Sequence, residues 1–264
     1  MRDAMNFRKY GEPPFKAAVI HGGPGAAGQM APVAKHLSVK IPVIEPFQSK
    51  LSVKEQAEEL AQILEKEAAP PVTIIGHSWG AWLSLITAAK YPGIAGKVII
   101  IGSGAFEEKY AAKVQTTRLE RLSRPERDEI EFLFDSIGNP IVRDKDKVLT
   151  RIGELFSRSD TYKGMEETGA PAVVNAAIFD AVWKDASDMR RRGELLSLCR
   201  HIKCPVTAIH GDYDPHPAEG VEKPLKEAIK GFKFILLKNC GHRPWIEKEA
   251  ASGFFRVLEE EVKS

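Results

Sequence analysis

The chain has 264 residues, 43% of them hydrophobic and 28% charged, with a net charge of +2. That length can bury a full core, as one large domain or one domain with an inserted subdomain. Balanced charge without a basic tract or acidic tail argues against nucleic-acid binding, and the absence of an apolar run or signal-like start predicts a soluble, cytoplasmic protein with no membrane partner.

Asn6 to Tyr10 reads as a short edge strand, and Gly11-Glu12-Pro13-Pro14 as a turn. Lys16 to Ile20 is a buried strand that ends at His21-Gly22-Gly23-Pro24-Gly25, and a helix pattern covers about Gln29 to Leu37. Pro42-Val43-Ile44 is a short strand. Ser52 with Glu55 three residues on is a capping box, opening a helix apolar at Ala57, Leu60, Ile63 and Leu64. Pro70-Pro71 closes that helix, and Val72 to Ile75 is a β-branched strand. A helix from Ala81 to Ala89 follows it, and Lys97 to Ile101 is another apolar strand. Short apolar strands alternating with helices predict a parallel sheet covered on both faces.

From about Ala105 to His201 the alternation stops. Glu107 to Leu122, Pro125 to Phe134, Leu149 to Phe156 and Ala172 to Leu198 read as helices, so 105–201 is expected to form a helical cap on a core of 1–104 and 202–264. Arg190-Arg191-Arg192 within it reads as a solvated helix face. The sheet pattern returns at Pro205 to Ile209 and Phe232 to Leu237, with helices at Val221 to Ile229 and Pro244 to Val262. Cys199, Cys204 and Cys240 are an odd set, expected as free thiols; Cys199, His201 and Cys204 lack a fourth ligand at a standard spacing, so no metal site is expected.

Gly76-His77-Ser78-Trp79-Gly80 lies between a strand and a helix, the context that gives Gly-x-Ser-x-Gly its meaning. Such a sharp turn pushes the Ser78 hydroxyl above the sheet edge and sets the Trp79 amide at a helix N-terminus, where unpaired N–H groups favour negative charge. Asp214 and His242 also follow strands, and strand C-termini of a parallel sheet share one edge. The order Ser, Asp, His suits a catalytic triad. His242 takes the Ser78 proton during attack, and Asp214 holds the imidazole in its useful tautomer. The Trp79 and Gly23 amides are the expected oxyanion donors. Asp212 is the rival acid. His77 and His21 read as packing or bracing groups, His210 as structural, and nothing in the sequence assigns His216.

These motifs resemble the α/β-hydrolase superfamily. His21-Gly22-Gly23-Pro24-Gly25 with Ser78-Trp79-Gly80 is similar to the proline iminopeptidase branch over roughly 1–104 and 203–264, and Gly241-His242 and Glu247 match the usual C-terminal block. The resemblance implies an α/β fold with a mostly parallel eight-stranded sheet and a helical cap between strands six and seven. It implies hydrolysis without a cofactor. Glu107, Glu108, Glu166, Glu167 and Asp180 form no pattern for gripping a substrate ammonium, so a small ester or related acyl substrate is expected before a prolyl amide. A non-catalytic binding protein on the same fold is the alternative of another class; retention of Ser78, Asp214 and His242 argues for the enzyme. Phe179 and Trp183 fall one helical turn apart, and either line the substrate pocket or pack the cap on the core.

Overall fold

The computed structural model describes residues 6–166 and 172–263. Its main sheet contains β1 (Phe7–Tyr10), β2 (Ala17–Ile20), β4 (Val43–Pro46), β5 (Val72–His77), β6 (Ala95–Ile101), β8 (Val206–Gly211) and β9 (Lys233–Leu237). They lie in the order β1-β4-β2-β5-β6-β8-β9, with β1 antiparallel to β4 and every other pairing parallel. Among the described residues the sheet thus has seven strands, not the eight that the resemblance implies.

Alternation along the strands divides the core. Ala18, Ile20, Ile74, Val98, Ile100 and Ala208 pack on one face with α2 (Val53–Glu67) and α3 (Trp79–Lys90). Ala17, Val19, Ile75, Ile99, Ile101 and Ile209 face α1 (Ala31–Ser38) and α10 (Ala251–Lys263) on the other. Ser52 caps α2 as expected, accepting from the Glu55 amide at 3.2 Å while its hydroxyl donates to the Glu55 carboxylate at 2.7 Å. The helix α3 is buried from Trp79 to Ala88, so its first turn, which carries the Gly-x-Ser-x-Gly motif, is held by packing along its length.

Between β6 and β8 run α4 (Glu108–Arg121), α5 (Arg124–Gly138), α6 (Lys145–Asp160), β7 (Val173–Val174), α7 (Ala176–Arg191) and α8 (Glu194–Cys199). Leu122, Ile130, Leu133, Ile152 and Leu155 give α4 to α6 an apolar cluster of their own, whereas Val182, Ala186, Leu195 and Cys199 of α7 and α8 join the main core. The single helix expected from Ala172 to Leu198 is therefore wrong at three places. Val173–Val174 pairs antiparallel with β3 (Ala26–Ala27), Asn175 caps α7 by accepting from the Ile178 amide at 3.0 Å, and Gly193 at φ +73° separates α7 from α8. A two-residue strand whose partner lies about 150 residues away leaves no local pattern to read. The last expected helix is also broken: a 3₁₀ turn at Pro244–Ile246 is followed by Glu247, whose side chain turns inward, before α10 begins. Helix α9 (Glu219–Ala228) fills its expected place.

Candidate active site

The strand-to-helix turn at Ser78 is strained. Ser78 has φ +53° and ψ −113°, a conformation that L side chains rarely adopt. Its amide donates to the Ile101 carbonyl of β6 at 3.0 Å, and packing fixes the rest. A Cβ on Gly76 would run into the Gly80 carbonyl, and one on Gly80 into the Ile20 carbonyl, so both glycines are required by close approach of backbone. Trp79 is the first residue of α3, and among the described residues neither its amide nor that of Gly23 donates a hydrogen bond. The Gly22 Cα lies against the elbow: a Cβ there would sit 3.1 Å from the Ser78 Cβ and 2.6 Å from His77 Nδ1. The loop after β2 and the turn after β5 are thus in contact, with two unpaired amides between them.

Asp214 and His242 meet at the ends of β8 and β9. His242 Nδ1 donates to Asp214 Oδ2 at 2.8 Å, and both residues are buried. Gly102, just past β6, underlies the pair at φ +51°. A Cβ there would lie 2.6 Å from the His242 carbonyl oxygen and 3.2 Å from Asp214 Oδ2. Burial by itself would raise the Asp214 pKa. The facing His242, His210 and His216 and the hydrogen bond from His216 outweigh it and hold the carboxyl well below its ordinary range. Asp212, two residues before, accepts from the Cys240 amide at 3.2 Å and faces Lys238 at 3.7 Å, away from His242.

His77 links the elbow to His242. Its Nε2 donates to the His242 carbonyl at 3.0 Å, and the two rings lie 4.7 Å apart. Burial, then the neighbouring His242, pushes its pKa well below the ordinary value, so the ring is neutral. His21 is likewise buried and its pKa falls to about 4; its Nδ1 donates to the Gly22 carbonyl at 2.9 Å, which braces the loop. Among the described residues the Ser78 hydroxyl makes no hydrogen bond.

Several contributors escape a sequence reading. Asp160, at the end of α6, accepts the His242 amide on its carbonyl at 2.8 Å while its carboxylate is held by both arms of Arg118. Arg121 donates to the Tyr213 carbonyl at 2.8 Å with its guanidinium 3.7 Å from the Tyr213 ring centroid. Glu247 is fully buried and accepts from the amides of Gly241, Tyr162 and Lys163, each at 2.8 Å. Of these only Glu247 carries a signal in the sequence, its place in the C-terminal block.

A gap of about 10 Å³, room for one water, is bounded by Ser78, Trp79, Trp82, Gly104, Trp183 and His216. The Trp183 ring lies parallel to that of Trp82 with centroids 5.9 Å apart, and the Phe179 ring stacks with Trp183 at 6.1 Å. Of the two, Trp183 borders the gap and Phe179 does not. A wider cleft of about 380 Å³ opens beside Arg243 between the end of α6 and Ile246. Of the acidic insertion residues, Glu107 pairs with Lys109 and Glu108 with Arg190, and Glu167 lies outside the described residues. Cys199 and Cys240 are buried free thiols and Cys204 is half-buried. Asp214, His216 and His242 are grouped closely enough to ligate a metal, but each imidazole meets the carboxylate at a hydrogen-bonding 2.8 Å, so Asp214 is already engaged by both rings.

The fold and this arrangement define a protein of the α/β-hydrolase kind. A model of the alpha/beta hydrolase family matches residues 21–254, and the chain belongs to that family. It is similar to a proline iminopeptidase of Heyndrickxia coagulans, 25% identical over 248 residues that cover 87% of this chain and 85% of that protein. The crystal structure of Lip1 from Acinetobacter baumannii AYE superposes with a TM-score of 0.65 at 19% identity, over 98% of this chain and 88% of that one. A bromoperoxidase structure from Bacillus anthracis gives 0.64 at 17%, over 98% and 95%. At these identities the structures speak for the fold. No helix among the described residues is long and apolar enough to cross a membrane.

Proposed function

We propose that this chain is a cofactor-free serine hydrolase that cleaves a small ester or related acyl substrate through an acyl-enzyme. The observation that carries the reading is the buried 2.8 Å bond from His242 Nδ1 to Asp214 Oδ2 beside the strained Ser78 elbow. That bond fixes the proton on Nδ1 and leaves His242 Nε2 free to take the Ser78 proton as the hydroxyl attacks a carbonyl. The Trp79 and Gly23 amides are the donors for the oxyanion that forms. His242 returns the proton to the leaving group, and water repeats the sequence to release the acid. Residues 105–201 act as a cap that shapes the substrate site.

The likeness to a proline iminopeptidase favours a second reading, cleavage of an N-terminal proline. The ion pairing of Glu107 and Glu108 with basic neighbours speaks against their gripping a substrate ammonium. Two measurements decide. A fluorophosphonate probe should label wild-type protein and leave Ser78→Ala unlabelled. On one preparation, kcat/KM for p-nitrophenyl butyrate should far exceed that for prolyl p-nitroanilide; turnover of the prolyl amide with a micromolar KM would instead establish the peptidase. Absence of labelling would sink both.

A further inference from the structure

Asp214 serves two imidazoles. Its Oδ2 accepts from His242, and its Oδ1 accepts from His216 Nδ1 at 2.8 Å and from the His216 amide at 2.9 Å. A triad needs only the first of these. The two rings stack with centroids 4.8 Å apart and an interplanar angle of 30°. With the rings stacked and both Nδ1 atoms on one carboxylate, each Nε2 lies on the side of its ring away from that carboxylate. His216 borders the gap beside Ser78.

An ionised carboxylate only accepts, so His216 Nδ1 carries a hydrogen. Burial pushes the His216 pKa down to about 4 against the pull of Asp214, so near neutral pH the ring is uncharged and Nε2 holds a lone pair. Among the described residues that nitrogen has no partner. Of the three indoles around it, two have their N–H groups turned away and occupied: Trp79 Nε1 donates to Gln56 at 3.1 Å and Trp82 Nε1 to the Gly104 carbonyl at 3.1 Å. In a gap walled largely by indoles, an unpaired ring acceptor favours substrates that can donate to it over those that leave it unpaired.

We infer that His216 Nε2 is the specificity-determining acceptor of this site, selecting acyl substrates that carry an O–H or N–H donor close to the scissile carbonyl. The inference rests on the serine-hydrolase reading and deepens it. Its test compares matched substrates. One pair differs on the acyl side, p-nitrophenyl butyrate against p-nitrophenyl 3-hydroxybutyrate. The other differs on the alcohol side, ethyl butyrate against 2-hydroxyethyl butyrate. In wild type, kcat/KM should favour the hydroxylated member of at least one pair by about tenfold, the worth of one good hydrogen bond. In His216→Phe, which keeps the stacked ring and removes the acceptor, that ratio should fall to about one. If that variant folds poorly, His216→Asn serves: its amide still reaches Asp214, and nothing occupies the place of Nε2. No preference in wild type, or a preference that survives either variant, overturns the inference. So does an equal loss on both members of a pair, which is what a merely structural or general-base role gives. Fluorophosphonate labelling of Ser78 separates the outcomes: if wild type is not labelled the hydrolase reading fails, and if it is labelled while the ratios do not respond, only the assignment of His216 fails.

Discussion

Removing the Glu247 side chain should cost more stability than any surface change of like size. Its carboxylate is fully buried and is the shared acceptor for the amides of Gly241, Tyr162 and Lys163, all at 2.8 Å. Glu247→Ala leaves the buried Gly241 N–H and the part-buried N–H groups of Tyr162 and Lys163 without this partner, at about 1–3 kcal/mol for each that water does not reach. Water entering the vacated space recovers part of this, so a net loss of about 4 kcal/mol is expected, on the order of 10 °C in Tm. Glu247→Gln keeps an oxygen for Gly241 and Tyr162 but turns an NH₂ toward the Lys163 amide, and should lose about 2 kcal/mol. Urea denaturation followed by far-UV circular dichroism gives both values. Because Gly241 and Tyr162 flank the His242 loop and the end of α6, esterase turnover should fall in the same order. A Glu247→Ala protein within about 1 kcal/mol of wild type would refute the reasoning, since the three bonds would then contribute almost nothing.

Ser78→Ala should lower ester turnover by a factor on the order of 10³ or more with an unchanged melting curve; near-wild-type turnover in the folded variant would exclude Ser78 as nucleophile. Asp214→Asn should reduce kcat far more than Asp212→Asn, and a larger loss at 212 would reverse the assignment. Trp183→Ala should widen the gap beside Ser78 and change the preferred acyl length more than the stability; a purely destabilising effect would make Trp183 a packing residue. Burial lowers His21 and His216 from an ordinary 6.5 to about 4. Folding therefore favours their neutral rings, so this contribution is complete above about pH 6.5 and is lost as pH falls toward 4, up to about 3 kcal/mol per ring. The urea midpoint should drop over that window and drop less in His21→Gln; a flat profile would contradict the burial of these rings as neutral groups.

The sheet and its edge are legible in the sequence because their signals are local. Apolar runs such as Val98 to Ile101 mark buried strands, and Ser52 with Glu55 marks a helix start. Gly76 and Gly80 announce a close approach that the backbone contacts of β2 and α3 make concrete. Asp214 is separable from Asp212 by its place after Gly211. What sequence reading misses depends on contact between distant segments. Nothing near Asp160 indicates that its carbonyl would hold the His242 amide, nor near Arg118 that it would clasp Asp160. His216 sits two residues from Asp214, but its second hydrogen bond to that carboxylate appears only when the turn after β8 is folded. The inward turn of Glu247 likewise breaks what periodicity alone reads as one continuous helix.

The two-residue pairing of β3 with β7 makes the insertion a poor module for exchange. Ala26 and Ala27 are bonded to Val174 and Val173, and the Asn175 amide donates to the Gly25 carbonyl at 2.9 Å. The loop that borders the elbow and the entry to α7 are therefore one mechanical piece, although the chain writes them about 150 residues apart. A chimaera that grafts a relative's insertion between β6 and β8 would inherit one half of this clasp and keep the other. Transplanting selectivity between such proteins calls for moving Gly25 to Ala27 together with the helices.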